Sequence, residues 1–466
     1  MSSDSTISSL IQKKSGEKKS VYFLGIGGIG MSALARYFLS KGFDVAGYDK
    51  TKTVLTEQLT SEGVNVHFSD DVTLADRDAS LVVFTPAIPQ DHAELNFYRD
   101  ADYKMSKRSE VLGAITESSF AICVAGTHGK TTTSAMLAHI LRDSGFGCNA
   151  FLGGIATNYN TNFWSSENNV SVAEADEYDR SFLKLNPDVA IITSMDADHL
   201  DIYGTHAQME DAFISFSEKI KKNGLLVYKH GLKRGGELKG DNKLSYSVDD
   251  TEADAHVQNM TIVEGSYKFD VVIKNKVVKD VVLQMGGRHN VENAVACIIV
   301  AKQLKLDEEA IRKAVSSFKG VKRRFEYVLK TSDRIVIDDY AHHPQELDAL
   351  IESVKELYPG RKCTIVFQPH LFSRTRDLAV EFGKVLSKAD EVLLLPIYPA
   401  REKPIIGVTS QLIIDQMADI KKQVIEKDKL LSEINEIKPS LLLIAGAGDI
   451  DTMVDEIKKI MNENSE

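Results

Sequence analysis

The stretch Val124–Leu137, VAGTHGKTTTSAML, constrains the fold more than any other in this chain of 466 residues. It joins an apolar run, FAICVAG, to a segment of helical apolar spacing, TTTSAMLAHILRDSG, through a loop ending in Gly-Lys-Thr. Such a loop cradles phosphates when a strand feeds into it and a helix N-terminus leads away from it. The common pattern places a glycine five residues before the glycine of GK[ST]. Val124 stands there, and the nearest glycine, Gly126, gives a shorter loop, G-x-x-G-K-T. In this context Gly126, Thr127, His128, Gly129, Lys130, Thr131 and Thr132 read as a nucleotide-binding loop. Lys130 would reach the β- and γ-phosphates, and the Thr131 hydroxyl would hold Mg²⁺. An ordinary glycine turn with a solvated lysine is the alternative.

The same strand–glycine–helix sequence opens the chain. Val21–Leu24 is an apolar strand, Met31, Leu34, Ala35 and Phe38 have helical spacing, Gly42 ends the helix, and DVAGYD follows as a strand. Between them GIGGIG fits G-x-G-x-x-G at Gly25, Gly27 and Gly30, with Gly28 inside it, and Asp49 closes the next strand where an acidic ribose contact stands. Taken alone, this is a dinucleotide or diphosphate site of NAD type. Further on, RIVIDDY, CTIVFQP, EVLLLPIY and SLLLIAG alternate with amphipathic helices such as QELDALIESVKELY. Strand–helix alternation implies parallel sheets. The expected architecture is α/β: a flexible tail over 1–18, a Rossmann-like domain over 19–117, a P-loop ATPase domain with a mixed sheet over 118–322, and a second Rossmann-like domain over 323–466.

Strand ends are where ligands meet a parallel sheet. SVAEADEYDRSFL places Glu174, Asp176, Glu177 and Asp179 at one, and Glu174, the first carboxylate after the strand, is expected to face the nucleotide, unless the run is a solvated acidic loop. SMDADHLDIYG places Asp196, Asp198, His199 and Asp201 at another. A histidine on Mg²⁺ is unusual because hard cations prefer oxygen, so spacing alone leaves His199 open between ligand and structural roles. VIDDYAHHPQEL ends a strand with Asp338 and Asp339, followed by His342 and His343, and VFQPHLFSRTRDL supplies His370, Arg374 and Arg376. Arginines so placed clamp a carboxylate or phosphate, unless they lie in a solvated basic loop.

The net charge of −11 argues against a general nucleic-acid or membrane-surface binder. The N-terminal MSSDSTISSLIQKKSGEKKS lacks the apolar core of a signal peptide. Cys123, Cys148, Cys297 and Cys363 are widely spaced within apolar runs, as buried, reduced thiols of a cytosolic protein would be. A cytoplasmic location is therefore expected.

Together the motifs GIGGIGM, AGTHGKTTT, EADEYDRSFL, ADHLD, GRHNVEN, DDYAHHP and QPHLFSRTRD, in this order, resemble the Mur ligases, the ATP-dependent amide-forming enzymes of peptidoglycan synthesis. The likeness covers nearly the whole chain after the tail, and the family's phosphate loop is the short form. The resemblance implies UDP-sugar, ATPase and amino-acid domains, with ATP and Mg²⁺ as cofactors. It reassigns GIGGIG and Asp49 from NAD to UDP-N-acetylmuramate. It puts Thr131 and Glu174 on one Mg²⁺, and Glu174 and His199 on a second, making Lys130, Glu174 and His199 the catalytic set. His289, Asn290 and Asn293 would hold adenine, Arg324 and Asp339 would meet the nucleotide, and His370 and Arg374 would hold an incoming L-alanine. Some relatives carry arginine after the QPH histidine, where this chain has Leu371. An acceptor tripeptide instead of alanine is the nearest alternative, an NAD-dependent dehydrogenase a more distant one. Both monomer and homodimer are compatible with the sequence.

Overall fold

The structure, a computed structural model, describes residues 3–13, 16–198, 200–400 and 402–463. Three sheets organise it. The first is parallel and runs Asn65–His67, Asp44–Tyr48, Ser20–Leu24, Ala79–Phe84, Met105–Lys107. Val21 and Phe23 enter the core on one face of its central strand, and Tyr22 and Leu24 enter that on the other. Burial on both faces is why this strand reads as a continuous apolar run.

The second sheet has ten strands, in the order Lys276–Leu283, Ser266–Ile273, Ala255–Val263, Asn242–Ser247, Leu225–Lys229, Val189–Ile192, Phe120–Ala125, Val170–Glu174, Asn149–Ala156, Thr161–Trp164. It is mixed, as expected: Phe120–Ala125 is parallel to both neighbours, while Asn149–Ala156 pairs antiparallel with Thr161–Trp164. The third sheet runs Glu326–Lys330, Ile335–Asp339, Leu441–Ala445, Cys363–Phe367, Glu391–Leu394, Lys421–Val424, and its first strand is an antiparallel edge on an otherwise parallel sheet. All four cysteines are free and buried. Among the described residues no helix is long and apolar enough to cross a membrane.

The chain forms two compact units. One comprises Met1–Gln258, Asp270–Val281 and Glu292–Ser316, the other Asn259–Phe269, Val282–Val291 and Ser317–Glu466. The first unit contains both glycine loops. Within it, buried Arg36 donates to Asn162 Oδ1, Asn162 Nδ2 donates to Ile29 O (2.6 Å) and Ser32 Oγ (2.9 Å), and Tyr37 packs on Phe151 at 5.4 Å between ring centroids.

The N-terminal segment differs from the expected flexible tail. A helix spans Ser3–Leu10, and Ile7, Leu10 and Ile11 pack on the first core. Their spacing of three and four residues gives one apolar helical face, short but sufficient once a core accepts it.

Candidate nucleotide and acceptor sites

Phe120–Ala125 lies between Val189–Ile192 and Val170–Glu174, so the loop after it emerges among three parallel strand ends. Gly126 has φ +136°, and a Cβ there would stand 2.1 Å from Thr193 Oγ1. Gly129, at φ +82°, caps the helix Lys130–Asp143, and its missing Cβ would meet Asn293 Oδ1 at 3.0 Å. Asn293 thus stands beside the loop. The loop is pinned from the neighbouring strand end. Ser194 Oγ accepts from His128 N–H (2.8 Å) and bonds Thr127 Oγ1 (2.8 Å), Thr193 Oγ1 donates to Ala125 O (3.1 Å), and Asp196 N–H donates to Thr127 Oγ1 (3.1 Å). Sequence reasoning passed over Thr193 and Ser194, although hydroxyl residues directly after a strand beside a phosphate loop are a usable signal.

Lys130 Nζ donates to Gly126 O (2.7 Å) and lies 2.8 and 2.7 Å from the two Glu177 carboxylate oxygens. Glu177, taken from the sequence only as part of an acidic run, has a side chain 1% exposed. Glu174 is half-buried at its strand end and accepts from Gly153 N–H at 3.2 Å. Burial raises its carboxyl pKa, opposed by the Lys130 charge and a hydrogen bond to the Thr131 side chain. A hydroxyl and a carboxylate side by side are the oxygen donors that a hard cation prefers, so Thr131 and Glu174 fit Mg²⁺. His199 lies outside the described residues. The Thr132 side chain is buried in the same helix.

At the first glycine loop, Gly25 has φ +88° and Gly28 caps the helix Ile29–Ser40. Asp49 faces this loop, accepting from Gly27 N–H (2.7 Å) and Thr51 N–H (3.0 Å), so one of its oxygens holds the loop in shape. Arg108, unremarked in the sequence, covers the loop: its Nη1 would stand 2.9 Å from a Cβ on Gly30, and its Nη2 is 3.9 Å from Asp176 Oδ2. A guanidinium over a glycine loop suits a diphosphate.

The second unit carries the remaining candidates. His370 stacks on Tyr398 at 5.8 Å, meets His342 at 6.1 Å between centroids, and has its Nδ1 3.5 Å from Arg374 Nη1. Burial, then the Arg374 and His342 charges, lower the His370 pKa, which leaves a neutral imidazole beside a fixed cation. His343 caps the helix Pro344–Leu357, with Glu346 accepting from the His342 and His343 N–H groups. Leu371 adopts φ +72°, ψ 133°, sparsely populated backbone for a side-chain residue. Asp339 accepts from Phe325 N–H (2.7 Å) and Ala341 N–H (2.8 Å), and the Arg324 guanidinium lies 5.5 Å over the Tyr340 ring. Asn290 Nδ2 donates to Gly286 O (2.6 Å), and the His289 ring leaves no room for a Cβ on Gly287.

Asp338 is buried: its Oδ2 is 3.5 Å from Arg323 Nε, and its carboxyl is pushed up to about 7 by burial, against the pull of Arg323. The folded carboxyl therefore keeps its proton to about pH 7 while the unfolded one loses it near pH 4. That contribution to stability is present below pH 4 and lost as pH rises through 7. Asp338→Asn is expected to gain stability over the parent between pH 5 and 8, by at most about 4 kcal/mol. Melting curves of the two proteins that stay parallel across this range would contradict it.

Three family models match in series: the Mur ligase family catalytic domain over residues 20–119, the Mur ligase middle domain over 124–301, and the Mur ligase glutamate ligase domain over 323–448. The UDP-N-acetylmuramate–L-alanine ligase of Flavobacterium johnsoniae is 47% identical over 451 residues, covering 96% of this chain and 98% of that protein. The ligase of the same name from Porphyromonas gingivalis is 49% identical over 452 residues, covering 95% and 99%. Among solved structures, the UDP-N-acetylmuramate-alanine ligase of Thermotoga maritima superposes with a TM-score of 0.81 at 29% identity, covering 96% of this chain and all of that one. A murein peptide ligase of Psychrobacter arcticus shares the fold, with a TM-score of 0.64 at 22% identity. With its short phosphate loop intact and 96% of its length matched, this chain belongs to the Mur ligase family.

Proposed function

We propose that this protein joins L-alanine to the lactyl carboxylate of UDP-N-acetylmuramate at the expense of ATP, a cytoplasmic step of peptidoglycan precursor synthesis. The observation that carries this reading is the 47–49% identity, over at least 95% of the chain, to ligases named for that reaction.

The lactyl carboxylate attacks the γ-phosphorus of ATP, forming an acyl phosphate and releasing ADP. The amine of alanine then attacks the acyl carbon, and phosphate leaves as the amide forms. Phosphoryl transfer needs positioning and charge stabilisation more than covalent help. Backbone amides of the loop from Gly126 to Thr132 hold the phosphates at the helix N-terminus, and the Lys130 ammonium offsets negative charge on the transferring group. Thr131 and Glu174 would hold Mg²⁺, which supplies further charge neutralisation. Arg108 and the Gly25–Gly30 loop take the UDP diphosphate. Arg374 holds the carboxylate of the amino acid, and neutral His370 beside it is able to accept the ammonium proton.

Arg374→Ala is expected to raise the KM for alanine about 10–100-fold, the loss of one charge-assisted contact, with the KM for ATP unchanged. Equal KM values for alanine in both proteins would remove Arg374 from the acceptor site. For the reading as a whole, mass spectrometry of the nucleotide-sugar product tests the bond formed: addition of one alanine less one water supports it, and recovery of unmodified UDP-N-acetylmuramate opposes it.

A further inference from the structure

We propose that Glu177 is a positioning residue for catalysis: it fixes the Lys130 ammonium at the phosphate loop and keeps it there when nucleotide binds. This rests on the ligase reading above and assigns a role to a carboxylate outside the expected catalytic set of Lys130, Glu174 and His199.

The geometry has three parts. First, among the described residues Lys130 Nζ is anchored by the Gly126 carbonyl at 2.7 Å and by the Glu177 carboxylate through both oxygens at 2.8 and 2.7 Å. An ammonium has three donors and a long flexible stem, so these anchors decide where its charge stands and leave donor capacity for a phosphate oxygen. Second, Glu177 is 1% exposed. Pulling the lysine away would separate a buried carboxylate from this ammonium, a loss of up to about 3–5 kcal/mol in comparable buried pairs. The pair therefore persists as phosphates arrive, and the lysine meets them with its position set. Third, the chain takes on backbone strain to aim Glu177 inward. Asp179 (φ 53°, ψ 15°) and Arg180 (φ 62°, ψ 23°) are consecutive left-handed residues, neither of them glycine. Each costs about 1–3 kcal/mol and persists only where surrounding contacts impose it. Those contacts converge on Glu177: its carbonyl accepts from Arg180 N–H (2.9 Å) and from Tyr203 Oη (2.6 Å), while the Arg180 guanidinium lies 5.0 Å over the Tyr203 ring. Tyr203 closes the short helix Leu200–Tyr203, so a residue 26 positions further along the chain holds the turn that carries Glu177.

The test compares the parent with Glu177→Gln and Glu177→Asp, measuring ATP affinity by calorimetry and kcat by phosphate release in the presence of UDP-N-acetylmuramate and alanine. Glutamine keeps the side chain's shape and removes the charge; aspartate keeps the charge and moves it back by one methylene. Both are expected to lower kcat about 10–100-fold, as misplacement of a catalytic group does, while ATP affinity stays within about threefold because Lys130 remains charged. Unchanged kcat per folded molecule in both variants would reduce Glu177 to a structural role and overturn the proposal. Tighter ATP binding by Glu177→Gln with kcat preserved would also overturn it, since Glu177 would then compete with phosphate for the lysine. If glutamine prevents folding, the aspartate variant decides by the same criteria. A parent protein that binds ATP but releases no phosphate under these conditions removes the ligase reading instead, and the proposal with it.

Discussion

Lys130→Met is expected to lower kcat by about 10²–10³-fold, the usual loss when one preorganised charge donor is removed from a transition state. The substitution has a second consequence. Lys130 is an ion partner of buried Glu177, so methionine removes that counter-charge from the carboxylate and is expected to destabilise the fold by up to about 3–5 kcal/mol. The double variant Lys130→Met with Glu177→Gln separates the two effects. Its melting temperature should return most of the way to that of the parent, while its kcat stays as low as that of the single variant. A single variant as stable as the parent would show that the pair contributes nothing to folding.

Gly126→Ala is expected to abolish measurable ATP binding and to destabilise the first unit. Its backbone, at φ +136°, lies where alanine is strained, at a cost of about 1–3 kcal/mol. The added methyl would also stand 2.1 Å from Thr193 Oγ1 and 2.8 Å from the Ser194 amide. Relief requires moving the strand end that pins the loop, because Thr193 and Ser194 hold the loop through Ala125 and His128. Calorimetric titration with ATP checks the first effect and thermal unfolding the second. Retained affinity in a folded variant would mean that the loop adopts another path.

The parts of the site visible in the sequence are those written locally: glycines between a strand and a helix, and charged residues directly after an apolar run. Gly126, Lys130 and Glu174 announce themselves this way, as do the strands that carry them. Glu177, Thr193, Ser194 and Arg108 do not. Their significance comes from which group each meets, and those partners are 47, 68, 67 and 78 residues away in the chain, at Lys130, Ala125, Thr127 and Gly30 respectively. The acidic run shows the limit most clearly. Glu174 and Glu177 are equally acidic in sequence, but strand geometry brings the first to Thr131, and a strained turn at Asp179–Arg180 sends the second to Lys130. Asp49 fits its motif by position, and the structure adds a further duty, that of closing the glycine loop through Gly27. The N-terminal helix was hidden by composition, since three apolar residues among serines and lysines read as a tail until a core receives them.

Phosphate release from ATP, with Mg²⁺ and UDP-N-acetylmuramate present and one acceptor added at a time, tests the central claim most directly. The account predicts release that requires the UDP-sugar and is greatest with L-alanine, ahead of glycine and serine. Release only with a peptide acceptor would contradict the assignment to alanine and move the protein to a peptide-attaching ligase. Binding of ATP without release for any acceptor would contradict the claim that this chain is an active ligase.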